Sequence, residues 1–276
     1  MTVRQLFKND LTFTMGIGVF AAWVLIALTA RWIAPYDSLA QDLSLRFTGP
    51  SAAHWFGTDS IGRDILSRVL LGSRISLFAG IATIALSAGF GIVYGGIAGY
   101  VGGIVDDLMM RVSEMVLAFP GIILAMTIAA ALGPSLFNTL LAMVVIWWPN
   151  YARVMRSMVI ATKQNEYVEA SRQLGASHFR IFFKEILPNS LGPMLVLATL
   201  DFGNAILLFS GLSYLGLGSP PPTPEWGAMV ADGALNFNYW WICTFPGLAI
   251  MTMALGTNFI GDGVRDLLDP RLRKQL

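Results

Sequence analysis

Charge and reactive side chains are scarce in this sequence. Asp, Glu, Lys and Arg make up 13% of the 276 residues, where soluble domains carry about 25%. That scarcity excludes a chain with an extensive water-facing surface. Cys243 is the single cysteine, which excludes an intrachain disulfide and a zinc-binding quartet of cysteines. The two histidines, His54 and His178, fall on opposite sides of the membrane in the topology read below and cannot make a metal pair, so no metal site is expected. No nucleophile has a neighbouring base and orienting group, so no catalytic residue is expected. The dipeptide Gly-Lys does not occur, which excludes a P-loop and with it a nucleotide cofactor in this chain. The net charge of +1 gives no reason to expect nucleic acid.

What the sequence has is apolar length: 55% of it is hydrophobic. Several runs reach the roughly 20 residues that cross a bilayer. Within lipid every backbone N–H and C=O must be satisfied internally, which favours helices. The sequence therefore predicts an all-α membrane protein with six transmembrane helices, near 12–34, 75–100, 113–132, 136–158, 190–213 and 242–262. The first run follows Arg4 and Lys8 as a signal peptide would, but it has no clear small-x-small cleavage site and reads as a retained helix. Three segments follow: residues 1–72 with the first span and an outer loop, a core over 73–263, and a tail over 264–276.

With the N-terminus inside, thirteen of the 18 Lys and Arg fall on the cytoplasmic side, from Arg4 and Lys8 through Arg153, Arg172 and Lys184 to Lys274. Arg31, Arg46, Arg63, Arg68 and Arg74 fall outside. The positive-inside rule then puts both termini in the cytoplasm. The outer loop carries HWFGTDSIGRDILSRVLLGSRISL over 54–77. Ile61, Ile65, Leu66 and Val69 share one helical face there, and Arg63, Asp64, Ser67 and Arg68 the other, with Asp64 and Arg68 at i,i+4. This pattern predicts an interfacial helix that positions the second span, or that contacts a delivered substrate or a docked partner. Within that span Gly91, Gly95 and Gly99 form overlapping GxxxG motifs, which suit close packing inside the chain or against a second subunit. Asp201 is the most conspicuous polar residue in a span, with Asn204 one turn on and Asn258 in the sixth span. Such residues bond neighbouring helices or face a translocation path.

One cytoplasmic stretch, EYVEASRQLGASHFRIFFKEILPNS over 166–190, alternates charge with apolar residues. Tyr167, Ala170, Ser171 and Leu174 fall on one helical face, Gly175 suits a left-handed turn, and Ser177 suits an N-cap. Phe179, Phe182, Phe183 and Ile186 make a second face, and Pro188 ends that helix and opens the fifth span. Two helices this short need something to pack against: the chain's own spans, or a partner.

This stretch resembles the EAA loop of ABC-importer permeases, E-A-A, three residues, Gly, nine residues, then I-x-L-P. Glu169, Ala170, Ser171, Gly175, Leu187 and Pro188 match; Ser171 replaces the third small residue, and Glu185 stands at the Ile position with Ile186 one step later. The 54–77 stretch, TPEWG at 223–227 and GDGVRDLLDPRLR at 261–273 are similar to the C-type permeases of dipeptide, oligopeptide and nickel importers. The resemblance implies a type I ABC importer permease fold in the bacterial inner membrane. It implies a homologous B-type permease partner, two ATPase subunits carrying ATP and Mg, and an extracytoplasmic substrate-binding protein. It also implies that the loop docks in an ATPase cleft, with Glu169 making polar contacts and Gly175 allowing the turn. Peptides are the expected cargo, nickel or another small solute the alternative. An ion-coupled secondary transporter would more often show internal repeats, and none is evident.

Overall fold

The computed structural model describes residues 11–268; Arg4, Lys8, Arg271, Arg273, Lys274 and the end of the expected tail lie outside the described residues. The described chain is helical: α1 Leu11–Ile33, α2 Ile65–Val101, α3 Gly103–Leu117, α4 Gly121–Leu132, α5 Leu136–Lys163, α6 Glu166–Gln173, α7 His178–Tyr214, α8 Trp226–Leu235 and α9 Trp241–Leu268. The most extensive packing is α2 on α5, followed by α9 on α7 and on α1. By length and composition α1, α2, α7 and α9 can each cross a membrane, and a fifth span is added if α3 and α4 are one broken crossing. The 28-residue α5 is long enough to cross, but Asn150, Arg153 and Arg156 lower its apolar character. The all-α membrane architecture stands, and the count of six is approximate.

The expected third span is not one straight helix. It bends by 84° between α3 and α4. Pro120 has no N–H to continue α3, and Phe119 before it is biased away from helical backbone. The 12 residues of α4 cover only about 18 Å at 1.5 Å per residue. The second span begins earlier than 75. All 37 residues of α2 are one helix, about 55 Å long, against an apolar bilayer thickness of about 30 Å. The segment boundary expected at 72/73 falls inside it.

The interfacial helix expected within 54–77 is absent. Residues 54–64 form a loop, and Ile65 and Val69 are buried in the first turns of α2. Asp64 does not pair with the Arg68 side chain. It caps α2 by accepting from Ser67 N at 2.8 Å and holds His54 Nδ1 at 2.9 Å. Arg68 reaches the carbonyls of Ser38 and Pro222 instead. A carboxylate at an N-cap satisfies backbone donors that would otherwise lack a partner, and here that use displaces the i,i+4 pair.

Two clusters of buried side chains lie along the bundle. One, around Phe202, Phe209, Trp226 and Met253, joins the loop end of α2 to α7, α8 and α9. The other, around Tyr151, Met155, Val159, Val168, Ile181 and Ile186, lies at the opposite end and receives the 166–188 segment.

Candidate coupling and translocation sites

The 166–188 segment is mounted on the bundle by a few apolar residues. Asn165 is the N-cap of α6, and Glu166 and Glu169 occupy its first turn, where negative charge suits the helix dipole. Val168 is the one buried residue of α6, packed in the cluster with Tyr151, Met155 and Val159. Gly175 then adopts φ +81°, a conformation in which any β-carbon is strained. Ser177 caps the next helix by accepting from Arg180 N at 3.3 Å.

From His178 the chain runs without a break to Tyr214, so Pro188 does not stop the helix as the sequence suggests. The reason lies in the turn before it. Residues Phe182–Ile186 form a π turn, closed by Leu187 N donating to Phe182 O. A π turn inserts one residue into a helix and shifts its hydrogen bonding. Just beyond, Asn189 Nδ2 donates to Glu185 O at 2.6 Å and Ser190 Oγ to Ile186 O at 2.8 Å. These side-chain donors add to the ladder just past the proline, whose own missing N–H would have met the Lys184 carbonyl.

The same turn accounts for Glu185 at the family's Ile position. One extra residue in the turn brings Ile186 inward, where it is fully buried together with Ile181. It also splits the expected apolar stripe: Phe179 and Phe183 point outward while Ile186 points in. On α6 the expected face is the outward one, since Tyr167 and Ala170 are exposed. Leu174 is 88% exposed and Phe179 73%. Glu169 is also exposed, and among the described residues its ion-pair partner is Arg172, at 3.2 Å. Leu187 is half-buried and Pro188 exposed. At the back of the segment, Tyr100 Oη lies 2.9 Å from His178 Nδ1, and Lys163 Nζ donates to Tyr100 O at 2.7 Å. The segment thus has an inner apolar side fixed to α2, α5 and α7, and an outer side with exposed apolar residues beside charges.

Gly91, Gly95 and Gly99 line the contact of α2 with α5 inside the chain. A β-carbon on Gly95 would overlap the Ala152 carbonyl; on Gly91 it would meet Tyr151 and the Trp148 carbonyl, and on Gly99 the Arg156 carbonyl. The backbones approach closely because these positions have no side chain. Near this seam, Arg156 of α5 pairs with Asp106 of α3, a contact the sequence reading missed. Its only sequence signal is two opposite charges in apolar surroundings.

Asp201, half-buried on α7, stands beside Tyr151 and Trp147 of α5 and Asn204 of its own helix. The approach is loose, because among the described residues the buried Tyr151 hydroxyl has no partner at hydrogen-bond geometry. Asn204 is exposed. Asn258 packs its amide oxygen against Gly203 and forms no hydrogen bond with Asp201. The structure therefore brings Asp201 and Asn204 together with two α5 aromatics, while Asn258 packs against the neighbouring Gly203. Tyr151 and Trp147 were not visible in the sequence as partners, because a helix-spaced aromatic in a span reads as ordinary packing.

Comparison with known proteins fits this architecture. Residues 91–274 match the family described as binding-protein-dependent transport system inner membrane component. The chain is 44% identical to the "Probable D,D-dipeptide transport system permease protein" of Escherichia coli (strain K12), over 98% of this chain and 90% of the relative. It is 43% identical to the nickel transport system permease protein of the same strain, over 94% of each. It is 39% identical to the oligopeptide transport system permease protein of Bacillus subtilis (strain 168), over 97% of this chain and 88% of the relative. With helices able to span a membrane and this near-complete coverage, the chain belongs to the binding-protein-dependent inner-membrane transport family, as a C-type ABC-importer permease of the group that includes dipeptide, oligopeptide and nickel systems.

Proposed function

We propose that this chain carries di- and oligopeptides across the inner membrane as one half of an ATP-driven permease pair, and that the 166–188 segment couples it to an ATPase. The carrying observation is the two-sidedness of that segment. Its inner residues Val168, Ile181 and Ile186 are fully buried on the helix bundle, while Leu174 and Phe179 project beside Glu169, Arg172 and Arg180. Apolar projections flanked by charges suit a groove on a partner, with the charges fixing register. Movement of the docked partner is transmitted to α5 and α7, because the segment is continuous with both and shares their core. Nucleotide shifts the inward- and outward-facing populations only through unequal affinity for the two states.

In this reading ATP and Mg reside on two separate ATPase subunits, a B-type permease completes the pore, and an extracytoplasmic protein delivers cargo. Both termini face the cytoplasm, as the Lys and Arg distribution favours. The peptide relatives support the cargo class, and the nickel relative makes a metal ion the competing cargo. Coexpression with the partner genes tests coupling. Leu174→Asp and Phe179→Asp should abolish copurification of the ATPases while the melting temperature of the permease is unchanged. Retained ATPase binding in both variants sinks the coupling role. Uptake by the assembled importer of a labelled dipeptide, set against nickel, separates the two cargoes.

A further inference from the structure

At the end of the bundle away from the 166–188 segment, the 34–64 loop, the start of α2 and α8 enclose a cavity of about 260 Å³. Asp59, Ser60, Arg63, Arg68 and Asp232 line it, beside apolar walls that include Ile65 and Met229. The four ionisable groups balance to zero charge, but their hydrogen-bonding commitments are uneven. Asp59 is fully used: Oδ1 accepts from Ile61 N and Arg63 N, and Oδ2 from Arg63 Nε at 2.6 Å. Arg68 is mostly used, with Nη1 on two backbone carbonyls and Nε 3.7 Å from Asp59, which leaves only its Nη2 without a hydrogen bond among the described residues.

Asp232 and Arg63 retain unused capacity. The half-buried Asp232 carboxylate accepts from Ser60 Oγ at 3.1 Å and from Asn236 Nδ2 at 3.3 Å, and among the described residues it has no ion-pair partner. Arg63 uses its Nε, while its two terminal guanidinium nitrogens make no hydrogen bond among the described residues. A carboxylate that feels the charges of Arg63 and Arg68 but touches neither, and a guanidinium fork without an acceptor among the described residues, thus face one small cavity. A half-buried carboxylate is poorly solvated and gains from a cation, and the fork suits a planar carboxylate. Because the wall is already neutral overall, a ligand with one charge of each sign fits it better than a net ion. The volume lies just below the roughly 300 Å³ at which small-molecule pockets begin, which restricts the occupant to a short chain.

We propose that this cavity is a binding site for a small zwitterion of the amino-acid or short-peptide class, with its ammonium on Asp232 and its carboxylate on Arg63. The site rests on the transport reading and deepens it, since it places a cargo-sized recognition point on the permease chain itself. It lies outside the Asp201 region and uses none of its residues.

The test uses the assembled importer in lipid nanodiscs, without binding protein, titrated calorimetrically with dialanine. N-acetyl-dialanine, which lacks the ammonium, and dialanine amide, which lacks the carboxylate, serve as comparators. Dialanine should bind saturably. Asp232→Asn should weaken it at least about tenfold, the scale of one lost charge-assisted hydrogen bond. The same variant should leave N-acetyl-dialanine unaffected, a selectivity that a general loss of structure would not produce. Arg63→Gln should erase the preference for dialanine over its amide. Absence of saturable binding, or equal affinity in wild type and Asp232→Asn, overturns the site. It is equally overturned if dialanine ignores Asp232→Asn while docking of the binding protein weakens, since the cavity is then a protein contact. Asp232-dependent binding in an importer that takes up no peptide would instead overturn the transport reading and leave the site standing.

Discussion

Arg156 and Asp106 form a bidentate pair, Nε on Oδ1 and Nη2 on Oδ2, each at 2.5 Å. The pair holds α3 to α5 near the point where Gly99 of α2 touches the Arg156 backbone. Asp106 is buried and Arg156 is about one-third exposed, so the carboxylate depends on the arginine more than the reverse. Arg156→Met should lower stability by about 1–3 kcal/mol, because it leaves a buried charge without its partner. The double variant Asp106→Asn with Arg156→Met should recover part of that loss. Thermal unfolding of the detergent-purified chain checks both, and additive single effects would show that the two residues are not coupled.

The glycine seam makes a graded prediction. Gly95→Ala should destabilise by about 1–3 kcal/mol, since α2 and α5 must separate to admit one carbon. Gly89 lies in the same helix with nothing near a β-carbon, so Gly89→Ala should be neutral or stabilising by about 0.5–1 kcal/mol. Melting temperatures of the two variants, measured side by side, give the comparison. Equal effects would mean that the seam does not limit packing.

Glu225 gives the fold a pH dependence. Its carboxyl is buried at the start of α8, and burial pushes its pKa above the ordinary value of about 4.5, against the opposing effect of amides from Gly227 and Ala228. The folded chain therefore holds this proton more tightly than the unfolded chain. The resulting stabilisation is complete below about pH 4.5 and is lost as pH rises through the higher folded value. Burial of Asp232 raises its pKa too and acts in the same direction. Glu225→Gln keeps one acceptor oxygen and removes the titration. Its melting temperature should fall less than wild type between about pH 4 and pH 8, and parallel profiles would rule Glu225 out as a contributor.

The parts of the fold legible in the sequence were those governed by local rules. Apolar runs located the long helices, and a glycine between two short amphipathic stretches located the turn at Gly175, because both signals reside within about ten residues of chain. Features decided by distant contacts were not legible. Asp64 had two local uses, pairing one turn on or capping α2, and the cap won once His54 came to its other oxygen. Arg68 found its acceptor at Pro222, 154 residues away. No periodicity shows that a nominally exposed arginine is enclosed by a loop from the other end of the chain. The neighbours of Asp201 were hidden for the same reason, since Trp147 and Tyr151 lie on a different helix. The bend at Pro120 did have a local signal, but the length of the apolar run around it concealed the break.

The π turn at Phe182–Ile186 divides the coupling segment into residues that mount it and residues that project from it, and the two groups should fail differently. Ile186 is fully buried, so Ile186→Ala should cost about 2–5 kcal/mol of stability and loosen the segment from the bundle. Glu185 has one carboxylate oxygen buried without a hydrogen-bond partner among the described residues. Replacing it with Leu removes an unmet acceptor and should raise stability by about 1–3 kcal/mol. Phe179 is mostly exposed, so Phe179→Ala should leave the stability within about 0.5 kcal/mol of wild type while reducing transport-coupled ATP hydrolysis. Melting curves together with ATPase rates of the assembled importer separate the two groups. If Phe179→Ala destabilised the permease as much as Ile186→Ala, the outward face would be part of the core, and the division drawn by the π turn would not exist.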